Sequence, residues 1–439
     1  MKKVVSMQIP RPDYLDKLLR KRGNGRVKII TGIRRCGKSY LLFNLFKEFL
    51  LANGVAPDQV IELALDDLAN IRYRNPFELV KFVRSKIRNP ALPHYVFIDE
   101  IQFSSEEKNP YVSGDQRITF VDALVSLMRT PNLDIYVTGS NSRMLSSDIL
   151  TQFRDRGDEV RVFPLSFAEY RGACPEKATA LRDYMVWGGM PHVLALPTPE
   201  EKSLYLKRLF EETYVRDILE RNHLRNSAET LGLLIDFVSS AVGSLTNPTK
   251  LERRFDTERR IRISHATISQ YLDYLEEAFL LSSAKRYDVK GSRYFSSQQK
   301  YYFTDIGLRN ARINFRQTEP NHIMENVLYN DLVRRGFNVD VGVVPIQRSV
   351  PGAGGRRENI QLEVDFVVNR GMDRCYIQSA FSIPDEAKQE QETASLNRIR
   401  DSFQKIVVLR ENVVPWTDER GIRYVGLEDF LLGEKVPSF

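Results

Sequence analysis

Residues 26–40 read Arg26-Val27-Lys28-Ile29-Ile30-Thr31-Gly32-Ile33-Arg34-Arg35-Cys36-Gly37-Lys38-Ser39-Tyr40, and this stretch decides the fold. The run up to Thr31 predicts a strand, and SYLLFNLFKEFLLANG from Ser39 has helical apolar spacing with a stop at Gly54. Between them Gly32–Ser39 has the spacing GxxxxGK[ST], in the place a phosphate-binding loop requires. Backbone N–H groups of such a loop wrap phosphates, and the helix N-terminus adds its positive dipole. Gly32, Ile33, Arg34, Arg35, Cys36, Gly37, Lys38, Ser39 and Tyr40 are therefore expected to hold a nucleotide. In that reading Lys38 reaches the β- and γ-phosphates and Ser39 ligates Mg²⁺. A chance match in a chain this long is roughly a one-in-fifty event. Cys36 is expected to fill a tolerant loop position.

Working outward, VIELAL, HYVFID and LDIYVTG read as strands, with helices at PFELVKFVRSKI and FVDALVSLMR between them. Alternating strands and helices imply a parallel sheet with crossovers on its faces. HYVFID ends in Asp99-Glu100, and a buried parallel strand carries carboxylates only at its C-terminal edge, where ligands bind. Asp99 is expected in the Mg²⁺ shell and Glu100 as the group that polarises attacking water. Thr138-Gly139-Ser140-Asn141-Ser142 ends the next strand, so Ser140 or Asn141 is a candidate sensor of the γ-phosphate. The plain alternative is a turn chosen for backbone freedom. Arg154 and Arg156 are candidates for the cation that stabilises transition-state charge. No N-K-x-D guanine-reading motif occurs, which points to ATP.

The polar segment 104–117 reads as an inserted surface loop. The chain then turns helical to about residue 245, with WGGMP (187–191) as a break. A serine-capped helix from Ser264, followed by two strand-like runs around a basic turn, suggests a winged helix-turn-helix. From about residue 320 a helix and strands at FNVDVGVV, QLEVDFVV, CYIQSAFSI and KIVVLR are again α/β. The expected divisions are 1–170, 171–310 and 311–439. The fold class is α/β: a parallel P-loop core, a helical and winged-helix region, and a C-terminal α/β domain.

The net charge is +7, but residues 1–40 hold twelve Lys and Arg against two Asp, leaving about −3 for the remainder. That basic front suits either a polyanion or the nucleotide phosphates. Arg253, Arg254, Arg259, Arg260 and Arg262 precede the 264–280 helix, and Lys285, Arg286, Lys290 and Arg293 surround the wing. Contact through these residues would give salt-sensitive double-stranded DNA binding. The DYLEE stretch on the same helix is hostile to phosphates and fits a protein partner instead. Three scattered cysteines and the lack of a long apolar run lead to the expectation of a cytoplasmic chain without a membrane partner.

The ordered set GIRRCGKS, YVFIDEIQ, TGSNS, Arg156 before PLSF, WGGMP, YVRDIL, ATISQYLDYLEEA and KYYFTDIGLR resembles a family of prokaryotic AAA-type ATPases. In that family a C-terminal domain of unknown function follows the ATPase. The resemblance implies an AAA-like core, a winged-helix middle and a restriction-endonuclease-like C-terminal domain, and it favours Arg156 as an arginine finger. Its nuclease pattern maps onto Glu325, Asp365 and Gln378-Ser379-Ala380, where alanine stands in place of a lysine. That domain is therefore expected to be degenerate and not to cut. Two functions follow: an Mg²⁺-dependent ATPase coupled to DNA, or a slow ATP switch that binds a protein partner through an inactive scaffold. The sequence sets no subunit number.

Overall fold

The computed structural model describes residues 8–139, 156–224, 227–316, 319–349 and 357–433. The chain forms two compact units, Met1–Pro164 with Glu277–Phe279, and Leu165–Glu276 with Leu280–Phe439. The first unit carries a parallel sheet of β1 (Val27–Thr31), β2 (Val60–Ala64), β3 (His94–Asp99), β6 (Leu133–Thr138) and β7 (Gly157–Arg161). Its strand order is β2-β3-β6-β1-β7, so the strand leading into the glycine loop lies between two neighbours. The segment expected to be a surface loop holds the short antiparallel pair β4 (Glu107–Lys108) and β5 (Arg117–Ile118).

Both faces of this sheet are covered, as a parallel sheet requires. On one face Ile29, Ile61, Val96 and Val137 pack with Leu79 and Val83 of the helix Pro76–Lys86 and with Leu124 of the helix Phe120–Met128. On the other, Phe43 and Phe46 meet Phe97 at ring-centroid distances of 5.9 and 5.8 Å. Asn75 and Thr119 accept the first free N–H groups of those two helices, which fixes where each begins.

The second unit opens with helices Phe167–Ala173, Ala180–Trp187, Pro199–Arg208 and Ala228–Ser240. Helices Pro248–Arg254 and His265–Glu277 then lead to an antiparallel hairpin, β8 (Leu281–Asp288) and β9 (Arg293–Phe303). After the helix Pro320–Arg334 come β10 (Asn338–Ser349), β11 (Arg357–Arg370), β12 (Asp373–Ala380), β13 (Gln404–Leu409), β14 (Trp416–Thr417) and β15 (Ile422–Gly426). These strands and the hairpin form one eight-stranded sheet, β14-β15-β13-β12-β11-β10-β8-β9. Parallel pairing of Arg286, Tyr287 and Asp288 with Val341, Gly342 and Val343 makes the join. A division at 310, expected from the sequence, would fall inside this hydrogen-bonded sheet.

The WGGMP and FTDIG stretches hold each other. Asp305 accepts from the Gly189 N–H at 2.7 Å and from Leu308 N–H at 3.1 Å. Gly188 sits at φ +73, where a Cβ would lie 2.2 Å from Asp305 Oδ1; one at Gly307 would lie 2.0 Å from the Trp187 carbonyl. Burial pushes the Asp305 carboxyl up to about 6, against the N–H bonds it accepts.

Candidate functional site

The site is built where β1, β3 and β6 end side by side. Gly32 leaves β1 at φ +135, and a Cβ there would stand 2.1 Å from the Val162 carbonyl, so only glycine lets the loop pass. Ile33 and Cys36 turn fully inward, and Cys36 Sγ donates to the Val162 carbonyl at 3.4 Å. The thiol is thus a buried anchor under the loop. Arg34, Arg35 and Tyr40 stay at least partly exposed around it, Arg35 with φ +65. Burial and the Glu48 charge raise the Tyr40 hydroxyl.

Lys38 is buried at 4 % exposure and folds back to donate to the Gly32 and Ile33 carbonyls at 2.9 and 3.1 Å. Its ammonium therefore lies inside the curve of the loop. Ser39 Oγ donates to Asp99 Oδ1 at 2.9 Å, and the Thr138 hydroxyl donates to the same oxygen. Thr138 also accepts from the Glu100 N–H at 3.0 Å. Burial raises the Asp99 pKa, the Thr138 and Ser39 hydrogen bonds lower it, and the Glu100 and Asp66 charges add to the rise. Glu100 sits in the left-handed region at φ +50 and accepts from Gln102 Nε2.

A cation beside Asp99 would relieve its desolvation, and the Ser39 hydroxyl with the Asp99 carboxylate is a hard-oxygen pair of the kind Mg²⁺ shares with phosphate. The residues fit both a nucleotide and its metal. Among the described residues no three His, Cys, Asp or Glu side chains form a metal cluster by themselves. Such a metal would need substrate oxygens to complete its shell.

Thr138 ties Asp99 to Glu100, a role the sequence reading did not assign; its signal was a threonine closing an apolar strand. Ser140, Asn141 and Arg154 lie outside the described residues. Arg156 directly precedes β7. Its carbonyl accepts from Val27 N–H at 3.0 Å, at the start of β1. The glycine loop leaves the far end of that strand, about 13 Å away at the usual rise. The Arg156 backbone therefore lies at the opposite end of β1 from the glycine loop. Arg161, at the loop end of β7, instead stacks on Phe163 with its guanidinium 4.7 Å from the ring centroid.

Much of the basic front is used internally. Arg11 is 2 % exposed and donates to the Cys36 and Phe163 carbonyls at 3.1 and 2.9 Å, clamping the loop from behind. Lys28 is buried against Asp134, while Lys21 and Arg26 face Asp158. Arg22 lies over the Tyr95 ring.

A second cluster lies in the other unit. Glu325 comes from the helix Pro320–Arg334, Asp365 and Glu363 from alternate positions of β11, and Gln378 from β12. Among them sits Lys300 of β9, which sequence reading missed because it lies on a hairpin strand assigned to another domain. Its ammonium is 2.8 Å from Glu325, 2.7 Å from Glu363 and 3.7 Å from Asp365. Tyr302 donates to Glu325 at 2.6 Å, and Ser379 N–H to Asp365 at 2.8 Å. Gln378 Oε1 accepts from the Asp365 N–H at 3.4 Å, and Ala380 is buried. Burial alone would lower the Lys300 pKa, but the surrounding carboxylates outweigh it and the net shift is upward. Burial and the Glu325 charge push Asp365 up to about 8, against the opposing pull of Lys300.

Residues 24–171 match the family described as AAA domain, and residues 178–319 match a domain of unknown function, DUF8612. An uncharacterized protein of Haemophilus influenzae is 31% identical over 431 residues, covering 97% of this chain and 98% of that protein. One of Methanocaldococcus jannaschii is 26% identical over 424 residues, covering 92% of this chain and 85% of that one. Among solved structures, the Aeropyrum pernix ORC1 protein in complex with DNA matches with 13% identity and a TM-score of 0.28, over 72% of this chain and 95% of that one. No helix among the described residues is long and apolar enough to cross a membrane. Residues 24–171 are thus similar to the AAA domain, and the chain belongs to the family of the Haemophilus influenzae protein.

Proposed function

We propose that the chain hydrolyses ATP with Mg²⁺ and couples the nucleotide state to double-stranded DNA through its second unit. The observation that carries the reading is the convergence of Lys38, Ser39, Asp99, Thr138 and Glu100 at one sheet edge. On phosphate binding Lys38 exchanges its two loop carbonyls for phosphate oxygens, so its charge is already in place. Ser39 and Asp99 present adjacent oxygens, and Thr138 keeps the Asp99 carboxylate turned toward Ser39. Ser39 and Asp99 would hold Mg²⁺, which when bound would offset charge developing on the phosphate oxygens. Glu100 orients and deprotonates the attacking water. Arg156 serves only as a finger in trans, which requires a second copy of the chain.

DNA coupling rests on the winged-helix-like order of helix, helix and hairpin, with Arg253, Arg259, Arg260, Arg262 and Lys285 exposed around it. One feature favours the protein-partner switch instead. Asp273 and Glu276 of the helix His265–Glu277 line a cleft of about 930 Å³ with Tyr294, Tyr301 and Asp340, three carboxylates against the one lysine, Lys285, which suits a basic segment. The deciding measurement is ATP hydrolysis by the purified chain with and without duplex DNA at two salt concentrations, with Lys38→Ala as the blank. Stimulation that fades with salt is expected. A rate indifferent to DNA, with a silent Lys38→Ala, would leave the switch.

The restriction-endonuclease-like cluster is not expected to cut. Lys300 occupies the space among its carboxylates, and a divalent ion would have to displace a buried ion network. Supercoiled plasmid with Mg²⁺ or Mn²⁺ should stay uncut; nicking by wild type that Asp365→Ala abolishes would overturn this.

A further inference from the structure

The hairpin of β10 and β11 extends past the strands that flank it. Pairing with β8 ends at Val343 and pairing with β12 ends at Phe366, while the two strands stay paired with each other out to Ser349 and Arg357. Beside this ribbon lies a polar cleft of about 760 Å³. Three of its lining residues are cations, Lys290, Arg398 and Arg400, and four are carboxamides, Gln347, Asn359, Gln361 and Asn397; among the described residues no carboxylate and no aromatic ring lines it. All three cations are exposed, and among the described residues none forms an ion pair.

Three like charges around one cleft repel one another, and a bound anion would offset that cost. The cleft is also held in shape. Leu396 and Ile399 are buried in the core beside it, which fixes the turn that presents Arg398 and Arg400. Lys290 is set by its bond to the Pro345 carbonyl at 3.1 Å and by the Val289 N–H bond to Val343 at 3.0 Å. Arg286 takes the Gln361 oxygen at 2.6 Å, which aims the Gln361 NH₂ group as a donor. Cations and amide donors match phosphate and sugar oxygens. The lack of any ring to stack on disfavours single strands, whose sites use aromatic platforms.

We infer that this cleft receives the phosphodiester backbone of a duplex nucleic acid, through Lys290, Arg398 and Arg400. The inference rests on the proposed DNA coupling and assigns it a surface away from the helix His265–Glu277. The test is fluorescence anisotropy of the full chain with labelled 30-base-pair DNA and RNA duplexes across a salt series. Wild type is compared with Lys290→Ala/Arg398→Ala/Arg400→Ala and with Arg253→Ala/Arg259→Ala/Arg262→Ala, each checked for an unchanged thermal unfolding midpoint. Each phosphate contact adds about 0.9 to the slope of log K against log salt. The cleft variant is expected to bind about tenfold or more weaker, with a slope shallower by up to about 2.7. The ratio of DNA to RNA affinity names the duplex. Wild-type binding that survives in the cleft variant and disappears in the Arg253 set would overturn the cleft and keep DNA coupling. Absence of binding by wild type to either duplex would overturn both.

Discussion

Glu100→Gln is expected to lower kcat for ATP hydrolysis by about 10³-fold, within the range a positioned general base contributes, while ATP still binds. The amide keeps the size of the carboxylate and leaves Lys38, Ser39 and Asp99 untouched, so phosphate contacts survive. What disappears is the ability to take a proton from water. Single-turnover hydrolysis and nucleotide release from the same preparation check it. A variant that turns over within about threefold of wild type would remove Glu100 from the chemistry. Lys38→Ala should differ in kind, because it loses the phosphate contact itself and with it binding.

Lys300→Met should be the most damaging single change to stability in the second unit. A buried ion network broken from one side costs about 3–5 kcal/mol, because the remaining charges stay desolvated without a partner. Here three carboxylates face one ammonium. The pH dependence separates charge from packing. Asp365 has a folded pKa of about 8 against an ordinary 3.8, so its contribution is complete below about pH 4 and is lost as pH rises through 8. Without the ammonium the carboxyl groups take up protons more readily, and low pH relieves the variant. Thermal unfolding of both proteins from pH 5 to 8.5 should show a gap that widens with pH. A gap of constant size would mean that the lysine acts through its methylenes alone.

The P-loop unit was legible because its signals are local. GIRRCGKS and HYVFIDE each carry strand, loop and chemistry within ten residues, and the structure places Lys38, Ser39, Asp99 and Glu100 at one edge. What escaped was set by pairing between distant segments. Nothing near Arg156 shows that β7 runs beside β1 in the same direction, which puts this arginine at the strand's start. Lys300 sits 25 residues from Glu325 and 65 from Asp365, so only the sheet brings its ammonium to them. Arg11 looked like one more basic residue until the Cys36 and Phe163 carbonyls gave it a partner. The WGGMP glycines marked a break, but the reason for them, the Asp305 carboxylate, lies over a hundred residues on.

The pairing of β8 with β10 has a mechanical consequence. A hairpin joined to a larger sheet by backbone hydrogen bonds cannot flap on a hinge of its own; it moves as the rim of a stiff plate. A load applied to the hairpin's tip would be carried by the whole plate, arriving at the buried Lys300 ammonium and at the β10–β11 ribbon without an intervening joint.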